Sequence, residues 1–236
     1  MKKEYSIGIT VHNFEHQSTL TLLNSLLEDN IKIDFIIYHQ SYFKRILLKI
    51  FNSMFKRNSI RKNELLKKIK NIKTFNIKDI NSEKCSRVFE KYKPSLVLCN
   101  TGIIKQKTIK NHPNTYLLNV HGSRLPEYRG ASNLHWALWD SKDIYVTVHR
   151  INNGIDEGDI LYQELLIKNS GDNIDHDKLS NLDLLITSAV PRALKQFLTC
   201  KSTFIKQDNI GNPMMRYYSM HPILLKILEK NYKNNE

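Results

Sequence analysis

A short apolar segment that ends in two polar residues lies at the middle of the chain: Tyr116-Leu117-Leu118-Asn119-Val120-His121. Residues 116–120 predict a β-strand. Because side chains alternate across a strand, Asn119 and His121 are expected on the same side of it. A polar loop that contains Pro126 and Gly130 follows. We therefore expect an amide and an imidazole to face one cleft beside the end of a strand.

Strands and helices alternate on both sides of this segment. Further strands are predicted at residues 6–11, 33–38, 96–99, 144–150 and 160–167. Helices are predicted at 17–27, within 77–92 with a cap at Asn81 or Ser82, at 105–111, over most of 172–197 and at 222–232. Pro191 predicts a kink or break in its helix. The alternation predicts an α/β fold, a mostly parallel twisted sheet flanked by helices, with ligands beside the carboxyl ends of the strands.

The composition indicates one α/β domain, or one domain with a small C-terminal addition. The chain has 236 residues, of which 41% are hydrophobic. No apolar run reaches the roughly 20 residues of a membrane-spanning helix, and the N-terminus does not resemble a signal peptide. The three cysteines, Cys85, Cys99 and Cys200, lack metal-ligand spacing. We predict a cytoplasmic protein without disulfides or a bound metal, and Cys99 as a buried thiol.

The formal net charge of +13 is concentrated in residues 44–73, which hold eleven Lys or Arg residues and one acid, Glu64. One interpretation is an electrostatic site for phosphates or acidic partners. Another is an amphipathic helix that is exposed to solvent or lies on a second subunit, as in a homodimer. A protein that binds nucleic acid or a membrane surface is a rival interpretation, but no aromatic platform or recognition motif accompanies the charge.

An acidic residue in a turn completes a set of groups suited to acyl transfer. Asp156 lies between Gly154 and Gly158, about thirty-five residues after His121. An amide such as Asn119 can donate to a developing oxyanion, which is commonly worth about 3 kcal/mol. A neutral imidazole can accept the proton of an attacking amine, and a carboxylate can orient that imidazole or relay the proton. Taken singly, each residue also fits a structural role in a strand end, a turn or a cap.

The strings Asn119–Gly130 and Ile155–Ile160 together resemble the folate-dependent formyltransferase family. The resemblance covers roughly residues 96–167. It implies a Rossmann-like fold, N10-formyltetrahydrofolate as donor and a catalytic set carried onto Asn119, His121 and Asp156. On this basis we predict a catalytic domain over residues 1–200 and a short C-terminal extension over 201–236 that packs on it. Arg124 departs from the Leu of many relatives, which leaves the acceptor open.

The resemblance also implies where folate is bound. In the family, the loop that matches Asn100–Lys105 lines the pteridine pocket with backbone groups. We therefore assign Gly102, Ile103 and Ile104 to folate contact. The segment from Asn152 to Ile155 is expected to close the other side. The alternative is a plain connection between a strand and a helix.

Comparison with the subfamilies of this resemblance reduces the number of candidate acceptor amines. Glycinamide ribonucleotide transformylases carry a glycine-rich phosphate loop after the first strand, whereas residues 10–16 contain no glycine. Methionyl-tRNA formyltransferases carry a larger C-terminal domain than the roughly 35 residues after Cys200, although the basic segment keeps a tRNA acceptor open. We predict a dTDP-linked amino-dideoxy sugar, such as dTDP-4-amino-4,6-dideoxyglucose, in the synthesis of a surface polysaccharide such as the O-antigen of lipopolysaccharide. Formyltetrahydrofolate hydrolysis is a rival reaction.

Four residues are assigned to the nucleotide-sugar substrate: Arg129, Gly130, Tyr217 and Tyr218. Arg129 is expected at a loop rim, where it could position a phosphate or form a structural salt bridge. The tyrosines could stack on thymine or meet the pyrophosphate. Packing of the C-terminal tail onto the core explains them equally well. Trp136 and Trp139 are expected in a helix core rather than in contact with a ligand.

Overall fold

The computed structural model describes residues 5–12, 14, 16–39, 65, 67–100, 102–169, 181–199, 203–207 and 216–233. The chain divides into two compact units, Met1–Leu117 and Leu118–Glu236, and each is described by itself. Most of the basic segment 44–73 lies outside the described residues. So do Cys200 and residues 172–180, the first part of the helix predicted over most of 172–197.

The N-terminal unit is built on parallel strands. These are β1 (Ile7–Val11), β2 (Phe35–Tyr38), β3 (Lys73–Asn76) and β4 (Leu96–Cys99), in the order β3-β2-β1-β4. Every residue of β1 and β4 is buried. Continuous burial is expected for parallel strands covered on both faces, and it explains their nearly unbroken apolar sequences.

Helices of this unit among the described residues include α1 (Gln17–Glu28), α2 (Glu83–Tyr92) and α3 (Gln106–Asn111). The side chain of Ser82 accepts a hydrogen bond from the Cys85 amide at 3.4 Å, so the predicted cap begins α2. The C-cap residue of this helix is Lys93, whose backbone is in the left-handed conformation and which directly precedes Pro94. Cys85 and Cys99 are free and buried.

The C-terminal unit contains antiparallel strands. Strand β5 (Tyr116–His121) starts at the boundary of the units, and β6 (Ile144–Arg150) and β7 (Ile160–Ile167) follow. Asn119 pairs with His149 and His121 with Thr147, so these four polar side chains share one face of the sheet. The helices are α4 (Asn133–Trp139), α5 (Leu182–Leu198) and α6 (Pro222–Lys233).

One hydrophobic core joins the C-terminal segment to the rest of this unit. Met220 and Leu228 pack with Tyr128, Ile144 and other buried residues of the strands and helices. Partly buried Trp136 packs on the same core, as predicted, whereas the side chain of Trp139 is 39% exposed. The C-terminal residues therefore contribute to the stability of this unit.

The predicted fold class is confirmed, and two details differ. Helix α5 runs without interruption through Pro191, so a break there is wrong. Fully buried Ala189, Val190, Ala193 and Leu194 surround the proline, and their packing offsets the lost backbone hydrogen bond. Strand β3 was not predicted because three of its four residues are polar and exposed, and only Phe75 is apolar and partly buried. No helix among the described residues is long and apolar enough to cross a membrane.

Candidate active site

Four polar side chains of the C-terminal unit form one cluster: Asn119, His121, His149 and Asp156. The Asn119 Nδ2 atom lies 3.4 Å from His149 Nε2. One Asp156 carboxylate oxygen lies 3.6 Å from His121 Nδ1, and the other lies 3.6 Å from His149 Nε2. The structure thus brings the three residues predicted as catalytic to a common centre, together with a second histidine.

Asp156 is held in place by its backbone and by a hydrogen bond. Its φ angle is 56°, a left-handed conformation that Asp tolerates better than most residues. The backbone amide of Gly130 donates to its Oδ2 atom at 2.9 Å. Gly130 itself has a φ of 107°, and a Cβ there would lie 2.2 Å from the Tyr217 carbonyl oxygen. Only glycine therefore allows this loop to approach both Tyr217 and the carboxylate.

Hydrogen bonds fix the tautomer of His121. Its side chain is 3% exposed, and Nε2 lies 2.6 Å from the carbonyl oxygen of Tyr128. Because a carbonyl only accepts, Nε2 carries the proton and Nδ1 keeps its lone pair. The amide of Asn133 donates to Nδ1 at 3.2 Å. The same nitrogen lies 3.6 Å from the Asp156 carboxylate.

His149 repeats this arrangement on the neighbouring strand. Its Nδ1 donates to the carbonyl oxygen of Arg150 at 3.0 Å, so Nε2 keeps the lone pair. That nitrogen faces Asn119 and Asp156. Two imidazole nitrogens thus face the same carboxylate.

The charge states follow from burial and from these contacts. Burial lowers the pKa of His121 and outweighs the attraction of Asp156, which raises it. Burial would raise the pKa of Asp156, but the imidazoles of His149 and His121 and the Gly130 amide lower it overall. His121 is therefore neutral and Asp156 ionised near pH 7. A neutral imidazole beside a carboxylate can accept a proton and be stabilised once it is charged.

Gln207 links the Asp156 turn to the loop after β5. Its side-chain amide donates to the carbonyl oxygens of Asp156 at 2.9 Å and Gly158 at 2.6 Å. Its Oε1 accepts from Arg129 Nε at 3.2 Å and Nη2 at 2.9 Å. Arg129 is only 4% exposed, so the predicted rim position is wrong: the guanidinium is buried against Gln207.

The other residues assigned to the sugar substrate differ in exposure. Tyr217 stacks on Tyr128 with ring centroids 5.2 Å apart, and its hydroxyl donates to Asp140 at 3.4 Å. Its backbone pairs with Gly130. The side chain of Tyr218 is 84% exposed. Tyr217 therefore has a packing role, and substrate contact by these residues stays a prediction.

The residues assigned to folate are described in both units. In the N-terminal unit, Gly102 and Ile103 line a cleft of about 210 Å³ together with His12, Tyr38 and His39. Ile104 is buried. In the C-terminal unit, the side chain of Asn152 accepts from the Gly154 amide at 3.0 Å, and Ile155 is 52% exposed. Their contact with folate stays a prediction.

Three residues of the site were missed by sequence reasoning. His149 had a local signal, because an imidazole lies near the end of the predicted strand that precedes the Gly154–Gly158 turn. Asn133 had a weaker one, as a polar residue at the start of α4. Gln207 had none, since its partners lie 49 to 78 residues away in the chain.

The sequence of this chain matches a known protein family. The model described as formyl transferase matches residues 44–176, more than half of the chain, and the match contains Asn119, His121 and Asp156. The chain belongs to the formyl transferase family. Within that family it is 34% identical over 139 residues to a methionyl-tRNA formyltransferase of Methylacidiphilum infernorum. The aligned region is 57% of this chain and 42% of the relative, so the chain spans less than half of that relative's length.

Solved structures with the same fold include formyltransferases. A phosphoribosylglycinamide formyltransferase from Anaplasma phagocytophilum has a TM-score of 0.62 at 17% identity, over 92% of this chain and 100% of its own. WlaRD, a sugar 3N-formyl transferase solved in the presence of dTDP and 5-N-formyl-THF, has a TM-score of 0.58 at 21% identity. That match covers 91% of this chain and 69% of WlaRD. At these identities the likeness shows the Rossmann-like fold alone.

Proposed function

We propose that this protein transfers a formyl group from N10-formyltetrahydrofolate to the amine of a nucleotide-linked amino sugar. The expected acceptor is a dTDP-linked amino-dideoxy sugar, and the product would enter a surface polysaccharide. The observation that carries the proposal is the cluster of Asn119, His121 and Asp156 inside a formyl transferase match. The free thiols of Cys85 and Cys99 are consistent with reaction in the reducing cytoplasm.

Each residue of the cluster has a chemical task in this reaction. The acceptor nitrogen attacks the formyl carbon, a new C–N bond forms, and the bond to N10 of the folate breaks. Asn119 donates a hydrogen bond to the oxyanion that develops on the formyl oxygen. His121 accepts the proton of the attacking amine at Nδ1, and N10 gains a proton as it leaves. Asp156 stabilises the imidazolium that forms between these two events.

Two observations support a sugar acceptor. Residues 10–16 offer no glycine-rich phosphate loop after β1. The fold is shared with WlaRD over 91% of this chain, and WlaRD is a sugar formyltransferase. A second candidate acceptor is methionyl-tRNA, because the sequence relatives at 33% to 40% identity bear that name. A homodimer built through residues 44–73 stays a prediction, since that segment lies mostly outside the described residues.

A competition among acceptors tests the proposal. Purified protein is incubated with N10-formyltetrahydrofolate and, separately, with dTDP- and UDP-linked amino sugars, glycinamide ribonucleotide and charged initiator tRNA. Mass spectrometry detects replacement of one hydrogen by a formyl group. We expect formylation of a dTDP-amino sugar by the native protein and none by a His121→Asn variant. Formylation of methionyl-tRNA alone would replace the sugar by the second candidate. Release of formate without any acceptor would indicate a hydrolase.

A further inference from the structure

Three nitrogen and oxygen donors at the site have the spacing of metal ligands. His121, His149 and Asp156 each offer one atom, and all three atoms lie within 4.8 Å of one another. Each imidazole nitrogen is 3.6 Å from a carboxylate oxygen. Two ligands at about 2.1 Å from a tetrahedral ion lie roughly 3.4 Å apart. Because the two nitrogens face different oxygens of the carboxylate, the three residues can surround one ion after a rotation of the Asp156 side chain, or with both of its oxygens as ligands.

The hydrogen bonds on the far side of each imidazole match those of ligating histidines. Such histidines usually donate their other ring N–H to a carbonyl or carboxylate, which fixes the tautomer and aims the lone pair. His121 donates to Tyr128 and His149 donates to Arg150, both to backbone oxygens. The two side chains are 3% and 2% exposed and belong to adjacent strands, so neither ring needs to be reordered.

The charge of the cluster also favours a cation. Two imidazole nitrogens face one carboxylate, which brings a negative charge to the same point. Side-chain amides of Asn133 and Asn119 approach the two nitrogens at 3.2 and 3.4 Å. An ion would replace these long hydrogen bonds by coordination bonds, and Asn133 would keep its bond to the Gly130 carbonyl at 3.3 Å.

We propose that His121, His149 and Asp156 form a binding site for one divalent ion of borderline softness, Zn²⁺ or Co²⁺, with a coordination position left open. Two imidazoles and one carboxylate suit these ions, whereas Mg²⁺ and Ca²⁺ prefer oxygen ligands alone. This site was not predicted from the sequence. Its three ligands are separated by 7 to 35 positions and form no recognisable metal-binding motif.

A consequence for the reaction rests on the proposed function. The ion would occupy the Nδ1 lone pair of His121, which the transfer reaction needs for the proton of the amine. Metal binding and formyl transfer are therefore mutually exclusive at this site. The metal acts as an inhibitor that competes with catalysis rather than as part of it.

Cobalt titration of the metal-free full chain tests the site without any activity measurement. We expect one equivalent of Co²⁺ to bind in the micromolar range and to give the visible absorption of a tetrahedral or five-coordinate ion, displaced by Zn²⁺. His149→Gln and Asp156→Asn each remove one ligand and should weaken binding by roughly 100-fold. His112→Gln is the matched control, because His112 lies outside the cluster, where its Nε2 is 3.0 Å from the Ser86 hydroxyl, and the variant should bind like the native protein.

Metal binding and formyl transfer can each fail independently, so the measurements distinguish the metal site from the proposed function. Thermal unfolding of each variant verifies that it folds, and Zn²⁺ should raise the unfolding temperature of the native protein and of His112→Gln but not of the two ligand variants. Undiminished cobalt binding by both ligand variants, or absence of binding by the native protein, would overturn the site. Cobalt binding with no formyl transfer to any acceptor would uphold the site and reject the proposed function. Transfer that persists with a saturated site would reject mutual exclusion.

Discussion

Strands β4 and β5 follow each other in the chain and have opposite compositions. In the N-terminal unit, β4 consists of four buried apolar residues, Leu96–Cys99. In the C-terminal unit, the end of β5 carries Asn119 and His121, and β6 adds Thr147 and His149 to the same face. A parallel strand buried on both faces has no place for an unpaired polar group. An antiparallel pair can hold polar groups on one face, and the candidate active site lies on this face.

Replacing the imidazole of β5 should have the largest effect on turnover. His121→Asn removes the proton acceptor while keeping a polar side chain of smaller size at the position. We expect kcat to fall by at least about 10³-fold, within the range of general-base catalysis. Single-turnover formyl transfer measures the rate, and fluorescence titration with a folate analogue verifies that binding persists. Turnover near the native rate would remove His121 from the mechanism.

Removing the charge of Asp156 should have a smaller effect and a distinct pH signature. Asp156 raises the pKa of His121, so Asp156→Asn should lower that pKa further. In the native protein, the rate should fall as the pH drops through the lowered His121 pKa, because the base becomes protonated. The variant should show this fall at a lower pH, with kcat reduced by about 10²-fold. The pH dependence of kcat/KM in both proteins is the measurement, and identical profiles would make Asp156 a turn residue only.

Loosening the Asp156 turn from outside the cluster should have a smaller effect again. Gln207→Glu keeps the acceptor for Arg129 but loses the amide donor to the Asp156 and Gly158 carbonyls. We expect kcat to fall about 10-fold with little change in KM, because a misplaced carboxylate affects the rate more than binding. Arg192→Gln is the matched control, since it breaks an exposed pair with Glu164 away from the cluster. Equal kinetics for Gln207→Glu and the control would show that Gln207 does not position Asp156.

A substitution in β4 should change stability and leave the chemistry unaltered. Leu98 is fully buried, so Leu98→Ala should lower the free energy of unfolding by about 2–5 kcal/mol. The rate per folded molecule should stay at the native value, because no reacting group belongs to this strand. Urea unfolding gives the stability, and active-site titration gives the folded fraction. A large loss of kcat per folded molecule would contradict the division of roles between β4 and β5.

The sequence predicted the parts of the fold and site that depend on local patterns. Continuous apolar residues predict buried strands such as β4, and Ser82 predicts the start of α2. The Asn119-x-His121 pair was expected on one side of a strand because alternation alone requires it. The four-residue edge strand β3 was missed because three of its residues are polar and exposed, and intrinsic β-propensity is a weak predictor for so short a strand.

The remaining parts depend on which residues meet after folding. Register decides that His149 lies opposite Asn119, and no pattern within residues 144–150 specifies that pairing. Gln207 reaches Arg129 across 78 positions of the chain. Arg129 was placed at a rim because Arg is usually exposed, whereas the amide oxygen of Gln207 allows it to be buried.

The left-handed backbone of Asp156 restricts how this site can diverge among proteins. Few residue types adopt that conformation without strain, and they are chiefly Gly, Asn and Asp. A related protein that lacks an acid at the position of Asp156 is therefore expected to have Asn or Gly there and to keep the geometry of the turn. A bulky or β-branched residue at this place would mark a chain whose turn has been rebuilt.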